Sequence, residues 1–166
     1  MGTPFVPGDF VVPQRIERER FVLRPLTIDD VENDYDAVMS SRGSLRHIFR
    51  ENDDWPAEGM TLQDNHRDLE RHQTDFEQRN GFTYTVETPD GRICLGCAYI
   101  YPSRKEGYDA QVHFWVRDSV KAQGLEDELG AFLRRWLNDV WPFRKPALPG
   151  RDVPWNVWDA LNSASL

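Results

Sequence analysis

His113 stands in an alternating run, Ala110-Gln111-Val112-His113-Phe114-Trp115-Val116-Arg117. In a strand its imidazole shares one face with Gln111 and Trp115. An unperturbed histidine exchanges protons near neutrality, which is the chemistry of a general acid or base. The competing reading is a histidine packed under a helix and bonded to backbone. Tyr108 and Asp109, at the entrance of the same run, are the next polar groups placed to move a proton. Tyr99 and Tyr101, one strand earlier, read as packing residues. Cys94-Leu95-Gly96-Cys97 has the spacing of zinc and redox sites. Within a strand, however, residues three apart face opposite sides, and no second pair completes a tetrahedron, so two buried small residues and no metal are expected. His66 and His72 share a helix face poorly and give no metal site either. Arg42, Arg46 and Arg50 recur at helical spacing, as a solvated face or as a grip on an anion. Trp55, Trp141, Trp155 and Trp158 fit core and lid packing, with the wall of an apolar pocket as the alternative.

The elements that must hold these groups follow from periodicity. Residues 20–26 alternate polar and apolar up to Pro25, predicting a first strand. Thr27-Ile28-Asp29-Asp30 starts a helix over 28–40 with a capping box. A short helical turn is expected over 45–49. A second helix runs from Thr61, with Leu62, Leu69 and Phe76 on one stripe, to a stop at Asn80-Gly81. Residues 82–87 and 93–101 are aromatic and β-branched around the Pro89-Asp90-Gly91 turn, and read as a hairpin. Residues 109–117 form a third strand. Residues 124–141 form a long amphipathic helix with Leu125, Leu129, Phe132, Leu133, Trp136 and Leu137 on its core side. Residues 145–148 and 154–161 give one more strand and a short helix. Residues 1–14, with three prolines and Gly8, read as an irregular surface arm, leaving 15–166 as the globular part of one domain.

The totals narrow the function. With 166 residues, 39% of them hydrophobic, the chain suits one domain with a real core. A formal net charge of −8 repels a phosphate backbone and argues against nucleic acid. No apolar run reaches the roughly 18 residues of a membrane span. The N-terminal stretch has neither the basic start nor the apolar centre of a secretory signal, and Val6 stands where a myristoylation motif wants Ser or Thr. Two cysteines give no disulfide framework, and the cytoplasm is the expected compartment.

The element order, the opening Phe-Val-Leu-Arg-Pro-Leu-Thr-Ile-Asp-Asp and the strand–loop–helix around residues 110–141 resemble the GNAT superfamily of acetyl-CoA-dependent N-acyltransferases, over roughly residues 20 to 150. The resemblance implies an α+β (α/β three-layer) fold: a central mixed, mostly antiparallel sheet flanked by helices, here with its C-terminal part shortened. It also implies a coenzyme loop that reads Gln or Arg, then Gly, any residue, Gly, any residue, and Gly or Ala. Lys121-Ala122-Gln123-Gly124-Leu125-Glu126 is the matching stretch. Trp115, Val116 and Arg117 lead into it and complete the expected coenzyme-binding set. Lys121 keeps a cation and Gly124 keeps the glycine. Ala122 is tolerable at negative φ, whereas Glu126 brings a carboxylate where a small residue is usual. At about 6 Å and an effective dielectric near 20, a carboxylate–phosphate pair costs roughly 3 kcal/mol. One charge-assisted hydrogen bond to phosphate returns about 1.5–3 kcal/mol. An acidic first turn is also what a well-capped helix wants, so the loop reads either as a weak coenzyme site or as a vestigial one.

The family's glutamate base has its counterpart in Gln111, which accepts no proton, and this leaves His113 as the base and Tyr108 as the second catalytic candidate. The family's acid tyrosine comes from beyond the long helix, and no tyrosine follows Tyr108. The expected function is acetyl transfer from acetyl-CoA to a small amine or amino-acid-like acceptor. The alternative is a catalytically inactive module of the same fold that binds a ligand or a protein. The short C-terminal sheet leaves an edge that a homodimer would cover.

Overall fold

The computed structural model describes residues 2–164, so the expected domain of 1–166 runs at both ends into positions outside the described residues. A two-residue strand β1 (Ile16–Glu17) precedes β2 (Val22–Pro25), a 3-10 turn (Ile28–Asp30), α1 (Val31–Ser40), α2 (Arg42–Leu45) and α3 (Leu62–Glu77). Then come β3 (Phe82–Glu87), β4 (Cys94–Pro102), β5 (Ala110–Val116), α4 (Asp118–Lys121), α5 (Leu125–Asp139), β6 (Pro146–Ala147) and α6 (Trp155–Ala160). The six strands form one sheet in chain order, antiparallel throughout except for the parallel β5–β6 pair. This is the mixed, mostly antiparallel sheet flanked by helices that the sequence implies.

Local chemistry accounts for most boundaries. Thr27 and Thr61 each open a helical segment with a capping box, closed by Asp30 and Asp64, as each helix start offers unpaired N–H groups. The expected helix over 28–40 begins as a 3-10 turn and becomes α-helical at Val31. The chain leaves α3 through Arg79 in the left-handed region (φ 60°), one residue ahead of the expected Asn80-Gly81 stop. The helical turn expected over 45–49 lies earlier, as α2.

The sheet separates two cores. On one face α5 buries Leu129 and Leu133 completely, with Phe82, Tyr84, Val112 and Phe114 beneath them. Each such aliphatic side chain stabilises the fold by about 1.5–3 kcal/mol. The N-terminal arm, irregular as expected, is not a surface feature: Val6 and Val12 are buried, and Phe5 stacks on Phe82 and Phe143. On the other face α1 and α3 cover Leu26, Val38, Leu69, Cys97, Tyr99 and Trp115. Among the described residues no helix is long and apolar enough to cross a membrane.

The hairpin between β3 and β4 contains the largest departure from strand alternation. Val86 pairs with Gly96 but Glu87 pairs with Cys94, so Leu95 is an extra residue, a β-bulge. The bulge turns both Cys94 and Cys97 toward the α1 side, where simple alternation predicts opposite faces.

Candidate active site

β5 is the wall shared by two regions of the molecule. Its register with β4 sets Tyr99 opposite His113 and Tyr101 opposite Gln111, so four polar side chains stand on one face. A cavity of about 860 Å³ opens over that face. It is floored by these four residues, walled by Asn65, Asp68 and His72 of α3, and covered by Phe49, Arg50, Asp53 and Trp55 of the loop between α2 and α3.

His113 is 5% exposed and fully committed. Its Nδ1 lies 2.9 Å from the Ile48 carbonyl and must donate to it. That fixes Nε2 as the acceptor, and the Gln111 side-chain amide donates to it at 3.2 Å. Gln111 is oriented in turn because its Oε1 accepts the Arg104 N–H at 2.9 Å. Phe49 packs edge-on against the imidazole. Burial lowers the His113 pKa from 6.5 to about 4, so the ring is neutral at physiological pH.

Sequence spacing did not single out the second imidazole of the cavity. His72 continues the Asn65, Leu69, Phe76 stripe of α3, and its Nδ1 lies 2.8 Å from the Tyr101 hydroxyl and 3.1 Å from Thr83 Oγ1. Burial pushes its pKa down to about 3. The stripe is legible in the sequence from the 65, 69, 72, 76 spacing, which His66 does not share. Beside it, Asp34 accepts from Asn65 at 2.9 Å and from the Cys97 thiol at 3.3 Å, and burial raises its pKa to about 6. Asp34, Cys94 and Cys97 present donor atoms within 4.8 Å of one another. They satisfy one another and the Gly96 carbonyl, and burial raises the Cys97 thiol further above its ordinary range.

These buried groups predict an acid-sensitive fold. A histidine kept neutral in the fold lets the unfolded chain take the proton first, so its contribution is fully present above pH 6.5 and lost as pH falls toward 4 and 3. Asp34 works the other way, gaining stability as pH falls through about 6. At pH 5 the two histidines lose roughly 2 kcal/mol each and Asp34 returns roughly 1 kcal/mol, for a net loss of roughly 2–3 kcal/mol relative to pH 7. Urea midpoints at the two pH values measure this, and His72→Gln should flatten the slope. An unchanged midpoint at pH 5 contradicts the burial argument.

The other side of β5 is its outer edge. β6 pairs with it only at Ala110–Pro146 and Gln111–Ala147, and beyond these the edge has no strand partner among the described residues. The edge leads through Arg117 and α4 into Gly124, whose φ of 75° requires glycine, and then into the first turn of α5. Ala122 has φ −63°, so its methyl group costs nothing there. Lys121 pairs with Asp118 at 3.2 Å, and Arg20 with Glu128 at 2.8 Å. Glu126 does not turn to solvent: it pairs at 3.0 Å with Arg151 from the segment after β6. Trp115 and Val116 are buried, one on each side of the sheet, and Trp115 Nε1 donates to Tyr99 Oη at 2.9 Å. Val120, Gln123, Leu125, Arg117 and Arg20 border a second cavity of about 480 Å³. The open first turn of α5, the left-handed Gly124 and nearby cations are a donor set that fits a diphosphate.

Tyr108 stands apart from the cavity, packed on Trp158 at 5.5 Å and beneath Lys145 at 4.7 Å. Asp109 caps the Arg144 and Lys145 amides. Of the four tryptophans named above, Trp55 lines the large cavity, Trp141 lies in the α5 core, Trp158 is buried and Trp155 packs against Gly150. Arg50 lines the cavity, whereas Arg42 and Arg46 are not among its walls.

The structure is thus a helix-flanked, mostly antiparallel sheet in which a glycine-initiated helix joins β5 to β6, the one parallel partner strand among the described residues. The model of the acetyltransferase (GNAT) domain matches residues 20–165, and the chain belongs to that family. Among solved structures it is similar to the ribosomal-protein-S5-alanine acetyltransferase from Vibrio fischeri, with a TM-score of 0.60 and 12% identity, covering 75% of this chain and 67% of that one. It is also similar to RimL, a ribosomal L7/L12 α-N-protein acetyltransferase, in complex with coenzyme A (TM-score 0.59, 14% identity, 74% and 67% covered). A third similar structure is the microcin C7 self-immunity acetyltransferase MccE in complex with acetyl-CoA and AMP (0.57, 13%, 78% and 71%). The chain thus spans about two thirds of the length of these structures. No curated protein matches the sequence.

Proposed function

We propose that the protein transfers an acetyl group from acetyl-CoA to an amine that enters the large cavity. The observation that carries this is the double role of β5: His113 and Gln111 face the cavity, while the edge of the same strand, which beyond its two pairs with β6 has no strand partner among the described residues, leads through α4 to the α5 N-terminus. A thioester laid along that edge and an amine in the cavity meet at one strand. Lys121, Gly124 and the first amides of α5 would hold the diphosphate.

The depressed basicity of His113 decides when it acts. Taking a proton from a free alkylammonium, with a pKa near 10, to a base of about 4 is uphill by about 8 kcal/mol. Attack by the neutral amine makes an adduct whose nitrogen is far more acidic, and a weak neutral base suffices for that proton. The entering amine displaces the Gln111 amide from Nε2, while the Ile48 carbonyl keeps the ring in place. The imidazolium so formed returns the proton to the departing thiolate, and the step balances without another group.

The expected result is that His113→Ala lowers turnover by about 100- to 10,000-fold while coenzyme affinity stays within a factor of three. Beyond the first-order fall set by protonation of the acceptor amine itself, the wild type should show no further acid limb above pH 5, whereas an ordinary histidine would add one near 6.5. Release of free thiol from acetyl-CoA, followed with panels of small amines and N-terminal peptides, measures both. A second acid limb at 6.5 on top of that of the amine, or full activity in His113→Ala, removes the base assignment. The second reading, a module of this fold without catalysis, is favoured by Arg151, whose Nη2 donates to the Phe114 carbonyl of β5 at 2.8 Å. It predicts no calorimetric binding of acetyl-CoA at millimolar concentration.

A further inference from the structure

Arg151 lies across the region where the proposed coenzyme would run. Its Nη2 donates to the Phe114 carbonyl of β5 at 2.8 Å, and its guanidinium stacks 3.6 Å from the centre of the Phe114 ring. The same nitrogen is 3.0 Å from Glu126 Oε1 in the first turn of α5. The guanidinium therefore bridges the free edge of β5 and the start of α5.

The segment that delivers it is built rather than loose. The Arg151 and Asp152 amides donate to the Leu148 carbonyl at 3.1 and 2.9 Å, and the Gly150 amide donates to Val153 at 2.8 Å. Asp152 is clamped to Arg134 of α5 through both carboxylate oxygens. The side chain held this way is underused. Of five N–H donors on a guanidinium, only Nη2 makes a hydrogen bond among the described residues, and the side chain is 24% exposed.

We propose that Arg151 is a diphosphate-binding residue, held in waiting by Glu126. The proposal rests on the acetyltransferase reading and adds to it a residue outside the glycine loop. Lys121 pairs within α4 and Arg20 with α5, whereas Arg151 contacts both the Phe114 carbonyl of β5 and Glu126 of α5, so it can act beside Lys121 on the side of the β5 edge. A planar guanidinium grips phosphate oxygens bidentately, and a diphosphate carries more charge than one carboxylate, so the exchange of partners is favourable. Glu126, 32% exposed, rotates into water when it is released. Withdrawal of Arg151 also frees the Phe114 carbonyl for an amide of the incoming ligand. The carboxylate that makes the loop unusual thus selects for ligands able to displace it: compounds with a diphosphate enter, and the pantetheine arm alone does not.

The test is calorimetry of acetyl-CoA, ADP and S-acetylpantetheine, which lacks phosphate, with the wild type, Glu126→Gln, Arg151→Lys and Arg151→Gln. Urea midpoints check that each variant is folded. Glu126→Gln should tighten acetyl-CoA binding about threefold to tenfold. Arg151→Gln should weaken it at least tenfold, with Arg151→Lys between, while S-acetylpantetheine should give no heat with the wild type. The same Arg151→Gln loss is expected in the Glu126→Gln background, where no carboxylate remains to be displaced. Acetyl-CoA binding by Arg151→Gln equal to or tighter than wild type overturns the proposal, leaving the acetyltransferase reading intact. ADP binding that depends on Arg151, without acetyl-CoA binding, keeps the diphosphate site and removes the acetyl donor. Absence of binding by any phosphate ligand, in the wild type and in Glu126→Gln alike, removes both.

Discussion

Gly96→Ala should cost about 4 kcal/mol or more of stability, the upper end for a single methyl group. A Cβ at Gly96 would lie 2.0 Å from the Trp115 carbonyl oxygen and 3.0 Å from both the Trp115 carbonyl carbon and the Val116 Cα. These are backbone atoms in the middle of the β4–β5 ladder, and no rotamer change relieves them. Ordinary overpacking costs about 1–3 kcal/mol because side chains give way. Here the ladder itself must shift, along with the bulge at Leu95 and the His113 face opposite Tyr99. For a domain stable by about 5–15 kcal/mol, such a loss leaves little folded protein at 37 °C. Urea unfolding of Gly96→Ala beside the wild type is the measurement, and a loss under about 1 kcal/mol would mean that the strands pair in another register.

Arg24→Met should cost about 3–5 kcal/mol by a different route. Arg24 on β2 donates to Asp30 at 3.0 Å and to Glu87 at 2.9 and 3.0 Å, tying the capping box before α1 to the end of β3. Asp30 and Glu87 are 8% and 6% exposed, so removing the guanidinium leaves two buried carboxylates facing each other. The electrostatic origin gives a check that packing loss does not share. Adding Glu87→Gln to Arg24→Met should recover at least about 1 kcal/mol, because one uncompensated charge disappears. If the double variant is no more stable than Arg24→Met, the loss came from the missing aliphatic stem rather than from charge.

What could be read from the sequence follows the range of the forces involved. The long helix α5, the β3–β4 hairpin and both threonine caps depend on neighbours within a turn or two, and their residues announce them. The two-residue strand β1 has too few positions to show a period, and α4 is a single turn between a strand and a glycine. Residues 145–148 were legible as a strand, but not that it would leave β5 after two pairs. The candidate site was legible in part. His113 and Gln111 were placed on one face by alternation alone, and Glu126 was identifiable as the odd member of its loop. The partner of Glu126 was not, because Arg151 lies 25 positions away on an irregular segment that only the parallel strand β6 brings back. Asn65 and His72 lie on the α3 stripe that also carries Leu69 and Phe76, but that this stripe and Asp34 of α1 meet over one cavity follows from helix packing on the sheet, which no spacing within one helix reveals. The two cysteines show the limit most directly, since one extra residue at Leu95 reverses which way a thiol points.

That reversal has a practical result. Both thiols are sealed under α1, with Cys97 fully inaccessible and Cys94 3% exposed, and Cys97 is further held in its protonated, unreactive form. Had the strand alternated regularly, one sulfur would have pointed the opposite way. Reagents that colour on contact with free sulfhydryls therefore see no signal from the folded chain and register only coenzyme thiol as it is liberated. The protein carries its own clean background for the assay that its proposed reaction calls for.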